Sequence, residues 1–141
     1  MNYWLYVTNE SILAKINSNN KFLEFSKKNN IKKNDIIFLY IKKHIASGFS
    51  HILQASDDIK INNVNKFAVD INVIKIITPL VNISKIINQI TGDVSGHRNL
   101  SSFNAKYLKN INTVTEIQLK GELLQNILNS NGTKSNTDKI H

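Results

Sequence analysis

The sequence predicts an α+β domain, a mainly antiparallel and curved sheet that closes into a small barrel with flanking helices. Three observations predict it. Ile36-Ile37-Phe38-Leu39-Tyr40-Ile41 is a β-branched and aromatic run with the look of a strand buried on both faces. Residues 67–76 alternate, so that Phe67, Val69, Ile71 and Val73 share one side of a strand. Around them the element order is strand, helix, paired strands, helix, strand, helix, which fits one layered domain. The 141 residues, 41% of them hydrophobic, supply one core and not two.

Each element has its own signal. Tyr3 to Thr8 alternates aromatic and aliphatic residues and stops at Thr8-Asn9, a strand followed by a polar cap. Asn9 or Ser11 caps a short helix reaching about Asn17, with Ile12, Leu13 and Ile16 on one side. Asn17-Ser18-Asn19-Asn20 breaks it, and Phe22, Leu23 and Phe25 form a brief apolar patch before the polar run from Lys27 to Lys33. Asp35 opens the strand at residues 36–41. A turn at Lys42–His44 returns the chain as a second strand, Ile45 to Ala55, where Gly48 permits a bulge or close backbone approach. After the polar segment Ser56–Lys66 comes the third long strand, which ends near Pro79, the only proline.

Ile83, Ile86, Ile87 and Ile90 have helical spacing, and Thr91-Gly92 closes that helix. Asp93 to Ser102 reads as a polar loop holding Ser95-Gly96-His97-Arg98. Val114 to Ile117 is a last strand, and Leu119 to Leu128 a last helix with Leu123, Leu124, Ile127 and Leu128 apolar. The domain is thus expected over residues 1–128, followed by a disordered polar tail at 129–141.

Composition removes several function classes. With no cysteine there is no disulfide, thiolate metal site or cysteine nucleophile, and the four histidines are too scattered to suggest zinc. No cofactor is expected. The N-terminus lacks the pattern of a signal peptide, and no apolar run reaches the roughly 20 residues that span a bilayer, so a soluble, intracellular protein without a membrane partner is expected. Catalytic motifs are missing too: there is no P-loop, dinucleotide fingerprint or nucleophile elbow. Adjacent Asp57 and Asp58 would point to opposite faces of a strand.

The net charge of +8 points to a polyanion, of which nucleic acid is the commonest. A second explanation competes with it. Asn, Ile and Lys number 22, 22 and 17, and all three use A/T-rich codons, so an A/T-rich genome would produce part of the surplus without a ligand.

The opening Asn2-Tyr3-Trp4-Leu5-Tyr6-Val7-Thr8-Asn9 resembles the opening of EVE domains, members of the PUA-like superfamily that also holds YTH and ASCH domains. Later features keep the family's order. Ile31-Lys32-Lys33-Asn34-Asp35 leads into a strand with Asn34 where the family has glycine, Ala46-Ser47-Gly48-Phe49-Ser50 supplies small residues, and Phe67 to Pro79 a long strand. Phe22 stands nearest the family's second tryptophan, and Phe103 near a later aromatic. The resemblance implies a non-enzymatic reader of RNA or DNA in which a barrel pocket takes one flipped, often modified, base. Extruding a base costs a few kcal/mol, recovered by stacking and by hydrogen bonds to its edge.

The candidate base pocket is Trp4, Phe22, Ser50 and Phe103. Each has a plainer reading: a first-strand aromatic such as Trp4 is more often core. Candidate phosphate contacts are Lys27, Lys28, Lys32 and Lys33, the densest basic cluster, together with His97 and Arg98, the single arginine. A solvated turn or loop is the alternative for both groups. Two other functions stay open on the same scaffold: a protein-interaction or homodimerisation module, and a ribonuclease of the ASCH kind, the latter by fold analogy alone.

Overall fold

The computed structural model describes residues 1–16, 21–63, 66–91, 96–117 and 121–130. In chain order these form β1 (Tyr3–Thr8), α1 (Ser11–Ile16), β2 (Phe22–Phe25), β3 (Ile36–Ile41), β4 (Gly48–Ala55), β5 (Lys60–Asn63) and β6 (Lys66–Val81). A 3-10 turn (Ile83–Lys85), α2 (Ile87–Thr91), α3 (Gly96–Tyr107), β7 (Thr113–Glu116) and α4 (Gly121–Ser130) follow.

The seven strands make one curled sheet in the order β2-β6-β4-β3-β1-β7, with β5 beside β6. β1 and β3 run parallel, Tyr3 opposite Ile36 through Thr8 opposite Ile41. Every other pairing is antiparallel. The result is a half-barrel with β2 and β7 as its free ends. Tyr6 of β1, the strand beside β7, and Phe25 of β2 meet edge to face, with ring centroids 5.1 Å apart.

Strand alternation divides the core in two. Leu5, Val7, Ile36, Phe38 and Tyr40 face the helices, where Ile87, Ile90, Tyr107, Leu124 and Leu128 cover them. Trp4, Tyr6, Ile37, Leu39 and Ile41 face the concave side with Ile12 and Ile16 of α1 and Leu23 and Phe25 of β2. All six residues of β3 are therefore buried, as the unbroken apolar run predicted. Each such side chain contributes about 1.5–3 kcal/mol by leaving water.

Two glycines are fixed by close approach. A Cβ on Gly48 would sit 2.7–2.9 Å from the Val81 backbone, and one on Gly121 would run into the Tyr3 ring at 2.3–2.5 Å. Gly48 thus lets β4 and β6 close, and Gly121 seats the start of α4 on β1.

Several expectations need correction. The polar loop expected over Asp93–Ser102 is helical from Gly96, because α3 occupies Gly96–Tyr107. Leu100, Phe103 and Tyr107 recur at helical spacing there, but Ser and Asn between them dilute the signal. Pro79 does not end the third long strand, which continues to Val81. Pairing with β4 skips from Ile76 to Val81 through an irregularity, so Pro79 lies where its missing N–H is not part of the regular ladder. The strand expected from Ile45 starts at Gly48, since residues 42–47 are held as a loop by Ala46 at φ 63° and by the Ser47 hydroxyl on the Lys43 backbone. The Phe22–Phe25 patch and part of the Ser56–Lys66 segment are short strands, β2 and β5, that lean on β6. The last helix starts at Gly121 and runs to Ser130, past the boundary expected at 128, and the rest of the tail lies outside the described residues.

Candidate nucleic-acid interface

Trp4 lies in the concave core at 6% exposure, and its indole N–H donates to Asp35 Oδ2 at 3.0 Å. The same carboxylate accepts the Asn2 N–H at 2.9 Å and the Lys32 N–H at 2.9 Å. Asp35, itself 3% exposed, thus ties the start of β1 to the segment entering β3. A buried carboxylate needs such partners, and Trp4 is one of them.

The four residues expected to form one pocket are not gathered. Trp4 belongs to the concave core, whereas Phe103 packs on the opposite, helix-covered face, its ring 4.8 Å from that of Tyr107. Ser50 is buried within β4, its Oγ 2.9 Å from His51 Nδ1. Burial pushes the His51 imidazole below its ordinary value, favouring the neutral ring.

Phe22 lines an open cleft. This cleft, about 270 Å³, occupies the seam where the two ends of the sheet approach. Tyr6, Phe22 and Phe25 give it three aromatic rings, and Thr8, Ser11, Ser26 and Asn112 give it hydroxyl and amide groups. Ile12, Lys15, Lys66 and Glu24 complete the lining, with Lys66 Nζ 3.5 Å from Glu24.

Local structure fixes the polar groups. Asn9 accepts the Ser11 N–H at 3.0 Å and so starts α1 beside the end of β1. Asn112 adopts φ 60°, a left-handed conformation that asparagine tolerates, and its N–H donates to Val7 O at 2.6 Å. The Thr8 hydroxyl donates to Asn112 Oδ1 at 2.9 Å, joining β1 to the turn before β7. Burial raises the Tyr6 phenol above its ordinary value, offset in part by its contact with Thr8, so it stays protonated at neutral pH. The volume falls just below the roughly 300–1,000 Å³ of drug-sized pockets, a size for one planar ring and not for a large ligand.

The predicted phosphate contacts divide. Lys27 and Lys28 are exposed just beyond Ser26, at the seam. Lys32 and Lys33 are exposed at the entry to β3, by the Asp35 end of the sheet, where the Lys33 N–H donates to Asp58. His97 and Arg98 lie in the first turn of α3, and their side chains are outside the described residues.

Sequence reasoning missed Tyr6, Thr8, Phe25 and Asn112. Alternation assigned Tyr6 to a strand but could not show that Phe25, nineteen positions on, would meet it across the seam. Among the described residues no group of three or more His, Asp or Glu could hold a metal ion, and no helix is long and apolar enough to cross a membrane.

No protein-family model and no curated protein matches the sequence. Solved structures do match in shape. The human THYN1 protein, solved in complex with DNA containing 5-methylcytosine, superposes with a TM-score of 0.60 at 11% identity, over 96% of this chain and 100% of that one. A Pseudomonas putida protein gives 0.58 at 12% identity over 89% of this chain and 98% of its own. A hypothetical protein from Leishmania major gives 0.56 at 13% identity over 100% and 98%. At such identities the likeness is one of backbone architecture. The curled sheet, its flanking helices and these neighbours together give the chain an EVE-type, PUA-like fold.

Proposed function

We propose that the protein binds nucleic acid and takes one base, modified or unpaired, into the seam cleft. The observation that carries this reading is the composition of that cleft: three aromatic rings beside the fixed polar groups of Thr8, Ser11 and Asn112. Aromatic faces stack on any base, while hydroxyl and amide groups can bond to a base edge and so discriminate. Lys15 on the lining and Lys27 and Lys28 beyond Ser26 supply positive charge for the flanking phosphates, while Lys66 is paired with Glu24. The DNA complex of the THYN1 neighbour is consistent with this partner class.

Fluorescence anisotropy tests it, using single-stranded RNA, single-stranded DNA and duplex DNA with and without 5-methylcytosine or an unpaired base. Phe22→Ala is expected to weaken binding by about 1–3 kcal/mol, the worth of one stacking contact. The emission of Trp4, the single tryptophan, should respond to base entry because Trp4 shares the concave core with Tyr6 and Phe25. Binding that disappears at moderate salt, with Phe22→Ala behaving like the parent chain, would leave only a charged coat and sink the pocket.

A self-association reading has one observation behind it. Ile74 and Ile76 are 46% and 49% exposed on β6, beyond the stretch that β2 covers. Elution of the chain as a dimer, lost in Ile74→Lys, would favour that reading.

A further inference from the structure

A second cleft lies on the helix-covered side, between the loop at residues 42–47 and the C-terminal end of α3. Its volume is about 610 Å³, within the range of small-molecule sites. Among the described residues the charged groups on its lining are Lys42 and Lys109, and no carboxylate lines it. Lys42 Nζ donates to Leu108 O at 2.9 Å, which holds the ammonium at the mouth and leaves it further N–H groups to give. Lys109 has no carboxylate partner among the described residues. Lys43, beside Lys42 in the loop, pairs with Glu10 at 3.2 Å.

The wall facing α3 is held in advance. Asn82 donates from Nδ2 to Ser47 O at 2.9 Å and accepts the Ser84 N–H at 2.8 Å. Ser47 Oγ in turn accepts the Lys43 N–H at 2.7 Å and donates to Lys43 O at 2.9 Å. Between them Ala46 is kept at φ 63°, a conformation unfavourable for alanine that persists because these bonds over-determine the loop. Below the lysines, Tyr40, Ile83 and Leu108 offer an apolar floor, and Asn104 an exposed amide. A bare phosphate would leave most of this space unfilled. A phosphate ester with an apolar or planar body would occupy it.

We propose that this cleft is a separate binding site for a phosphate ester of mononucleotide size, with Lys42 and Lys109 on the phosphate and the Tyr40 side of the cleft under the body. The assignment stands apart from base binding at the seam. The phosphate could belong to a free nucleotide or to a nucleic-acid strand, and the experiment separates these sources.

Amide chemical shifts of the full chain are followed while adenosine monophosphate, adenosine, or a short single-stranded DNA is added. Adenosine monophosphate is expected to move Ser47, Asn82 and Lys109, adenosine far less, and Lys109→Met to weaken the nucleotide by about tenfold, as for loss of one charged hydrogen bond. If the DNA moves the same amides and competes with the nucleotide, the phosphate is that of a strand; if only the nucleotide does, the ligand is free. Both results support the site. No movement of these amides with either probe overturns it, as does nucleotide affinity unchanged in both Lys109→Met and Lys109→Glu. Thr8 and Ser11 amides report the seam independently, so failure there and failure here are distinguishable.

Discussion

At the Asn2 end of the parallel β1–β3 pair, the Asp35 carboxylate collects N–H groups from Asn2, Trp4 and Lys32, and its surroundings are closed. At the Thr8 end the same two strands finish beside two clefts, one on each face of the sheet. Their amide and hydroxyl groups border open space there. The contrast teaches that the most conspicuous residue of the sequence, Trp4, works at the closed end as a partner of a buried acid. Binding chemistry collects towards the other end, where Thr8 stands four strand rises of about 3.3–3.4 Å from Trp4, roughly 13 Å.

The largest expected effect comes from breaking the closed end. Asp35→Ala leaves three N–H groups without their acceptor, one of them the buried Trp4 indole, and should cost on the order of 3–5 kcal/mol in urea unfolding. Asp35→Asn keeps the shape and part of the acceptor capacity and should cost less. An unchanged unfolding midpoint in the alanine variant would remove the structural role assigned to Trp4.

A smaller effect sharpens the open end. Thr8→Val removes the hydroxyl that donates to Asn112 and should cost about 1 kcal/mol of stability, the net worth of a neutral hydrogen bond. If a base edge uses this group, affinity for the preferred oligonucleotide falls while salt dependence stays the same. A shallower salt dependence in this variant would instead place the hydroxyl among groups that hold a phosphate.

The smallest effect is a slope with pH. His51 is buried with its pKa held below the ordinary value near 6.5, so on acidification the unfolded chain takes up the proton first. Its contribution is full above about pH 6.5 and is lost as pH falls through the lower folded-state value. Thermal unfolding should therefore weaken on acidification across that interval, and His51→Gln should flatten the dependence. An equal slope in both chains would assign it to other groups.

Much of the scaffold was legible because its signals are local. β3 announced itself by six apolar residues in a row, and β6 by strict alternation from Phe67 to Val73. α3 was hidden by the opposite circumstance: polar residues of weak helix preference surround three well-spaced apolar ones, and packing on the sheet supplies what propensity lacks. The seam cleft was only partly legible. Phe22 was identified, but the cleft is made where residues from opposite ends of the sheet converge, and no spacing in the chain encodes that convergence.

The parallel register of β1 and β3 has a topological consequence. Strands that run the same way release their following loops on the same side, and here the two departing loops are tied by the Lys42 N–H on Thr8 O and by the Lys43–Glu10 pair. Those segments form a crown at one end of the two strands: residues 9–10 and 42–47 lie at the opposite end of β1 and β3 from the Asp35 knot. Through Lys42 and Ser47 the second stretch borders the helix-side cleft, so the chemistry of that cleft is written partly in a loop, while the sheet beneath it keeps its register.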